Sequence, residues 1–453
     1  MWRTIASEFA RSKSAVAGLA LIVVIFAVSA FAVFSLPGST ASQWANPGTW
    51  TSYPKAAPPT WVNALGVDAP QTVGLTLNNW TSSSFDAPKT YVYAASTTLD
   101  WGHTVTPSGF LFIPQFVGSA YEVSLTWTKP DGQEVQMVVA SPTSGTNYDL
   151  TSLQIKQYIL QFVQSQTGSF LSSVTPQQEL SGLFRTDGSQ ILASPVLKGS
   201  YKLDVQVTSS APLTPSPRAT LTLVGDSYGT MGTDNFGRPI ELGMLAGLPS
   251  ALELGMLTSV VSVVVGVLFG GFSGFLGGRK DAVMQWLFLV VLAVPALPFL
   301  IALSYSVPLN LLTEATFIAA LSWPFYAIIA RSASLSIRSQ AYVEADLAMG
   351  VSSLRTFSSH FIPRLTPFAV AYTALGVPGG IILGQILSFL GVQPPNIITW
   401  GQLLNDASTY QAELYGWWWW VLFPGVMIVV ASIPFVLVGF SIDRIVSPKV
   451  SAK

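Results

Sequence analysis

The 453-residue sequence contains no cysteine, which excludes disulfide bridges and any metal site built on thiolates. It contains only two histidines, His103 and His360. They stand far apart, and a histidine-based metal site or relay is not expected. Charge is scarce as well. Asp, Glu, Lys and Arg together make up 9% of the chain, against roughly a quarter in ordinary soluble domains. The formal net charge is −1, and without a basic excess to neutralise phosphates no nucleic-acid partner is expected. The pattern G-x-x-x-x-G-K-[ST] occurs nowhere, so the chain lacks that phosphate-cradling loop and no cofactor of its own is expected.

What fills the chain instead is apolar. Half of the residues are hydrophobic and the mean hydropathy is +0.50, which reads as a membrane protein. The first long run, Ala15–Leu36, follows Arg3, Arg11 and Lys13. At about 1.5 Å per helical residue it can cross a hydrocarbon core of about 30 Å. The rival reading is a signal peptide cleaved near Ala30-Phe31-Ala32, but the core of such peptides usually runs only about 7–15 residues. Further candidate spans are Ala251–Leu276, Val283–Tyr305, Ala315–Ala330, Phe368–Val392 and Trp417–Gly439, which makes six. With the N-terminus in the cytoplasm, the connections carrying Arg279, Lys280, Arg331, Arg338, Arg355 and Arg364 lie inside. The short outside loops Ser306–Glu314 and Gln393–Gly416 then hold no Lys or Arg. This bias predicts cytoplasmic termini and places residues 38–250 outside, in a cell membrane. The aromatic run Trp417–Trp420 falls where an interfacial belt would.

Between Pro37 and about Arg238 the composition turns to Ser, Thr, Pro and Gly. Alternating Tyr121–Trp127, the turn Pro130-Asp131-Gly132 and alternating Glu134–Val139 predict a hairpin. Ser200–Val207 and Ala219–Val224 repeat the alternation. Ser152–Phe170 reads as a helix, with Leu153, Ile155, Ile159, Phe162 and Val163 near helical spacing. The expected fold class is an α-helical membrane protein of six transmembrane helices carrying an inserted, mainly-β, sandwich-like extracellular domain. Its divisions are residues 1–37, 38–231 and 232–453.

Several features invite a chemical reading. Gly266, Gly270, Gly274 and Gly278 recur every fourth residue, a stripe that lets a neighbouring helix approach closely. Pro295, Pro298 and Pro324 interrupt other apolar runs, and Pro378-Gly379-Gly380 is a candidate hinge. Asn79-Trp80-Thr81 is a sequon, so Asn79 is a candidate glycosylation site. Gly225-Asp226-Ser227-Tyr228-Gly229 fits a nucleophile elbow, but the glycine-rich TMGTDNFGRP that follows is poor helix material where the elbow needs a helix.

The most informative stretch is YVEADLAMGVSSLRTFSSHFIPRLTP, Tyr342–Pro367. It is too polar to span. Val343, Leu347 and Val351 lie on one helix face and Gly350 permits a turn. These residues predict a short amphipathic helix, a turn and a new helix start near Pro363. Such an element can lie on the membrane surface, the reading physics alone favours, or fill a groove of a partner.

The stretch resembles the cytoplasmic signature of ABC importer permeases: Glu-Ala-Ala, three residues, Gly, then a distal apolar-Pro pair. Glu344, Ala345, Gly350, Ile362 and Pro363 match it, while Asp346 stands where the family usually has Ala. His360 before the apolar-Pro pair resembles the dipeptide/oligopeptide branch. So do GTDNFGRP (Gly232–Pro239), LSFLGVQPPNIITWGQLLNDA (Leu387–Ala407) and WWWWVLFPG (Trp417–Gly425). The resemblance covers the first span and Gly232 to about Pro448, and leaves out the β domain. It implies a type I importer permease fold, with half of a translocation pathway in this chain. The partners implied are a second related permease subunit, two cytoplasmic ATPases that hold ATP and Mg, and an extracellular substrate-binding protein, all in membrane lipid. Glu344, Ala345, Asp346, Gly350, His360, Ile362 and Pro363 would belong to an ATPase-coupling segment, residues 331–366. The expected cargo is a dipeptide or oligopeptide, with oligosaccharides or a nickel complex as alternatives. A membrane-anchored extracellular enzyme and an adhesion protein are the distant rivals.

Overall fold

Period-two alternation builds one unit, Asn46–Glu241, and long apolar runs build the other, Met1–Ala45 with Leu242–Lys453. The computed structural model describes residues 2–86, 89–115, 121–140, 148–149, 157–158, 161–162, 164–165, 182–185, 195–213 and 218–446.

The first unit holds β1 (Val73–Leu77), β2 (Thr81–Asp86), β3 (Lys89–Trp101), β4 (Gly109–Gln115), β5 (Tyr121–Thr128), β6 (Glu134–Ala140), β7 (Tyr148–Asp149), β8 (Gly199–Ser209) and β9 (Arg218–Val224). They form two sheets, β1-β9-β4-β7 and β2-β3-β8-β5-β6. The expected hairpin is β5–β6, paired from Thr128↔Glu134 to Glu122↔Ala140. Gly132 turns it at φ 84, a conformation that favours glycine. Inward residues of both sheets share one core, with Phe110, Phe112 and Leu221 from one and Leu125, Trp127 and Val205 from the other. Two polar groups in that core are paired. The Trp127 indole donates to the Leu183 carbonyl at 3.1 Å, and the Tyr201 hydroxyl donates to the Leu197 carbonyl at 2.8 Å. Most of the expected helix Ser152–Phe170 lies outside the described residues; those described within it are helical. Asn79 is exposed between β1 and β2.

This unit ties its entering and leaving chains together. Thr233 donates its hydroxyl to the Pro54 carbonyl at 2.7 Å and accepts from the Ala57 amide at 3.0 Å. Asp234 accepts from the amides of Phe236 and Arg238, at 2.8 and 2.9 Å, and ion-pairs with the Arg238 guanidinium. These bonds lie inside the unit, which runs from Asn46 to Glu241. Ser227 of the elbow-like motif is fully buried and donates to the Ala69 carbonyl at 2.8 Å. Its hydroxyl is a structural tie, not a nucleophile.

The second unit contains α1 (Trp2–Arg11), α2 (Lys13–Ser35), α3 (Thr40–Ala45), α4 (Ile240–Leu276, whose first two residues belong to the β unit), α5 (Gly278–Leu292), α6 (Ala296–Ser304), α7 (Leu311–Arg338), α8 (Ala341–Ala348), α9 (Ser353–Thr356), α10 (Ile362–Phe389), α11 (Trp400–Thr409) and α12 (Trp418–Val446). Among the described residues, five stretches are long and apolar enough to cross a membrane: α2, α4, α7, Ser353–Phe389 and α12. The expected span Val283–Tyr305 is instead two helices, α5 and α6, meeting at 70°. Pro295 occupies the N-cap of α6, where a missing amide does little harm. The expected loop Gln393–Gly416 holds α11, whose first turn is capped by Thr399.

Gly266 and Gly274 face α7 so closely that a Cβ would lie 2.6 Å from the Trp323 carbonyl oxygen and 2.7 Å from that of Arg331. Gly270 lies against the backbone of Ala327. Gly278 does not belong to the stripe: α4 ends at Leu276, and Gly278 opens α5 at φ +60 with space around it. Helix α10 runs unbroken through Pro378, Gly379 and Gly380. Ser259 of α4 donates to the Thr373 carbonyl at 2.6 Å, tying α4 to α10 one turn before the proline.

Burial pushes the Asp226 carboxyl up from 3.8 to about 6. An acid with a raised folded pKa stabilises the fold less as pH climbs from its unfolded value through its folded one. Asp226→Asn should therefore stabilise the β unit by about 3 kcal/mol at pH 7.5 and by little at pH 4. Hydrogen exchange of the β9 amides at the two pH values measures this; equal effects at both would contradict it.

Candidate coupling site

The site is built on α8, a helix of only eight residues, too short to be stable on propensity alone. Tertiary packing holds it. Val343 is fully buried in a cluster with Phe275 of α4 and with Phe357, Phe361 and Leu365. The rings of Phe275 and Phe361 meet edge to face at 5.0 Å, a favoured aromatic geometry.

Gly350 closes α8. The Val351 amide donates to the Asp346 carbonyl at 3.1 Å, spanning the helix end. That closure requires a left-handed residue between them, and Gly350 has φ +75. The glycine of the signature therefore has a backbone reason. Beyond it the helical path resumes at Ser353, earlier than the start expected near Pro363. Phe357–Phe361 forms one wide turn, with the Ile362 amide donating to the Phe357 carbonyl. Pro363 follows at once in the first turn of α10, where the regular ladder cannot be kept.

Two faces result. On the inner one, Asp346 Oδ2 accepts from His360 Nε2 at 2.7 Å. Arg364 donates to the Tyr342 hydroxyl and its guanidinium lies 4.6 Å from that ring. The rings of Tyr342 and His360 are 5.2 Å apart. On the outer face, Glu344, Ala345, Gly350, Ile362 and Pro363 are exposed. Met349 and Leu354 are each 73% exposed, although both are large and apolar. None of Met349, Leu354, Tyr342 and Arg364 belongs to the signature. Helical spacing carries the signal for the last two: Tyr342 precedes Asp346 by one turn, and Arg364 follows His360 by one turn.

A second tie lies close by. The Arg331 guanidinium of α7 grips Asp281 of α5 with two bonds, both 2.6 Å. Ser273 of α4 donates to the same carboxylate at 2.6 Å. Three helices thus converge on one ion pair.

Residues 266–452 match the family profile described as "Binding-protein-dependent transport system inner membrane component". The chain is 29% identical over 224 residues to the probable D,D-dipeptide transport system permease protein DdpC of Escherichia coli K12, covering 49% of this chain and 74% of the relative. It is 30% identical over 226 residues to the oligopeptide transport system permease protein OppC of Haemophilus influenzae, covering 49% and 71%. The OppC of Bacillus subtilis is 30% identical over 222 residues, covering 48% and 71%. With its apolar helices, the chain is a membrane-spanning permease subunit of an ATP-driven ABC importer, a transport protein and not an enzyme. Within that class it belongs to the dipeptide/oligopeptide permease family. Members of such systems work with an ATPase and a substrate-binding protein.

Arg331→Met would leave Asp281 without its guanidinium partner at the convergence of three helices. It should cost about 3 kcal/mol and lower the thermal unfolding temperature in detergent, and adding Asp281→Asn should recover part of the loss. Equal stability of Arg331→Met and wild type would contradict the tie.

Proposed function

We propose that this chain forms half of the pathway of a dipeptide or oligopeptide importer and that residues 331–366 couple it to ATP hydrolysis. Its partners are a second related permease subunit, two cytoplasmic ATPases that bind ATP and Mg, and an extracellular substrate-binding protein. The peptide cargo rests on the names of the relatives. The orientation, with cytoplasmic termini and residues 38–250 outside, rests on the Lys and Arg distribution.

One observation carries the coupling reading. Val343 anchors α8 from beneath, while Glu344, Met349 and Leu354 project into solvent. Exposed apolar side chains just beyond the end of an anchored helix, Met349 in the turn and Leu354 on α9, fit a short element seated in a partner's groove. ATP can shift the permease only if the ATPase contacts differ between inward and outward states, and a fixed helix end supplies such a contact. The β unit serves as a docking or shielding platform for the binding protein, off the transport path, since it builds its own core.

Gly350→Trp places a bulky side chain at a left-handed position on that outer face. In the assembled transporter it should cut uptake at least about ten-fold, within the range of coupling free energies between sites, while basal ATPase activity persists. Normal uptake by this variant would refute the coupling role.

A further inference from the structure

We propose that Tyr342–Arg364 and Asp346–His360 form a two-rung polar ladder that joins α8 and the base of α10 into one lever, with Asp346 and His360 as positioning residues for transport coupling. The proposal rests on the coupling reading above, which assigns the ATPase contact to the opposite face of α8.

Spacing comes first. Tyr342 and Asp346 lie one turn apart on α8, so both point the same way. His360 and Arg364 are likewise separated by four residues, across the wide turn and the first turn of α10. The two pairs meet rung to rung, the lower at 2.7 Å and the upper through the Tyr342 hydroxyl and ring. The Tyr342 and His360 rings, 5.2 Å apart, connect the rungs.

Chemistry comes second. A methyl group in place of the Asp346 carboxylate could not reach His360. The carboxylate accepts the imidazole N–H, and such charge-assisted bonds are stronger than neutral ones. Side-chain exposures of 33% for His360 and 20% for Asp346 keep the rung partly shielded from solvent screening. The two rungs, spaced along the helix, add polar ties against rocking to the apolar anchorage that Val343 and Tyr342 give α8.

The lever has somewhere to lead. Helix α10 continues unbroken to Phe389. Along it Gly376 faces Ser259 of α4, Gly380 faces Gly255 and Thr258, and Gly384 faces Leu254. A push on the outer face of α8 is therefore delivered to a helix packed along the interior of the bundle.

The test uses the assembled transporter in nanodiscs, reading substrate uptake per ATP hydrolysed. Asp346→Ala and His360→Ala should each lower that ratio about five- to ten-fold with assembly and basal ATPase retained. The double variant should be no worse than the poorer single one, as for two residues of one interaction. Because the chain has no cysteine, the rung can also be replaced covalently. Asp346→Cys with His360→Cys should be uncoupled when reduced and recoupled when bridged by a reducible bis-thiosulfonate spacer. If the alanine variants fail to assemble, the bridged pair decides. A wild-type ratio in Asp346→Ala, additive losses, or a bridge that restores nothing would overturn the ladder. If Gly350→Trp uncouples while the ladder variants do not, only the ladder falls. If neither uncouples, the coupling reading falls with it.

Discussion

The close approach of α4 and α7 governs the arrangement around the coupling segment. Gly266, Gly270 and Gly274 bring two backbones together over about two turns, and van der Waals packing of this kind is what holds helices together where lipid is as apolar as the side chains. At the end of that seam Ser334 donates to the Gly271 carbonyl at 2.6 Å. The same seam delivers Arg331 to Asp281 and sets Phe275 against Phe361. Val343 then has an aromatic floor to rest on. A larger side chain at Gly270 would separate the helices and take the whole sequence of contacts with it, from the ion pair to the anchorage of α8.

The β unit obeys a different constraint. Its entering and leaving chains run side by side through Thr233, Pro54 and Ala57, with the buried pair Asp234–Arg238 closing the exit. Chain ends held together are what allow a domain to be inserted at a single loop. GTDNFGRP, which resembles a family element, thus serves here as the clasp of an inserted domain. The family profile starts only at residue 266, so the β unit lies outside it.

Much of this architecture was legible in the residues. Alternation and a Pro-Asp-Gly turn gave the β5–β6 hairpin, because side chains on a half-buried strand must alternate. The stretch from Tyr342 gave a short helix closed by a turn at Gly350, although the helical path resumes at Ser353 and not near Pro363. Other features were hidden. Apolarity is continuous across Val283–Tyr305, and only the geometry at Pro295 reveals two helices meeting at 70°. Gly278 kept the four-residue period of the stripe, yet Gly277-Gly278 is a helix stop, both residues having positive φ. Polar composition concealed α11. The rung between Asp346 and His360 spans fourteen positions, and the wide turn at Phe357–Phe361 that lies beside it has no spacing rule to announce it.

In the proposed coupling, the outer face of α8 meets the ATPase while the inner face is tied to α10. A single cysteine placed at Glu344, exposed on α8 itself, in this cysteine-free chain tests it most directly, by thiol cross-linking within the assembled complex with and without ATP. The account predicts an adduct to the ATPase subunit whose yield changes between the two nucleotide conditions, because a coupling contact must differ between states. An assembled, ATP-hydrolysing complex in which that cysteine forms no adduct with the ATPase in either condition would contradict it.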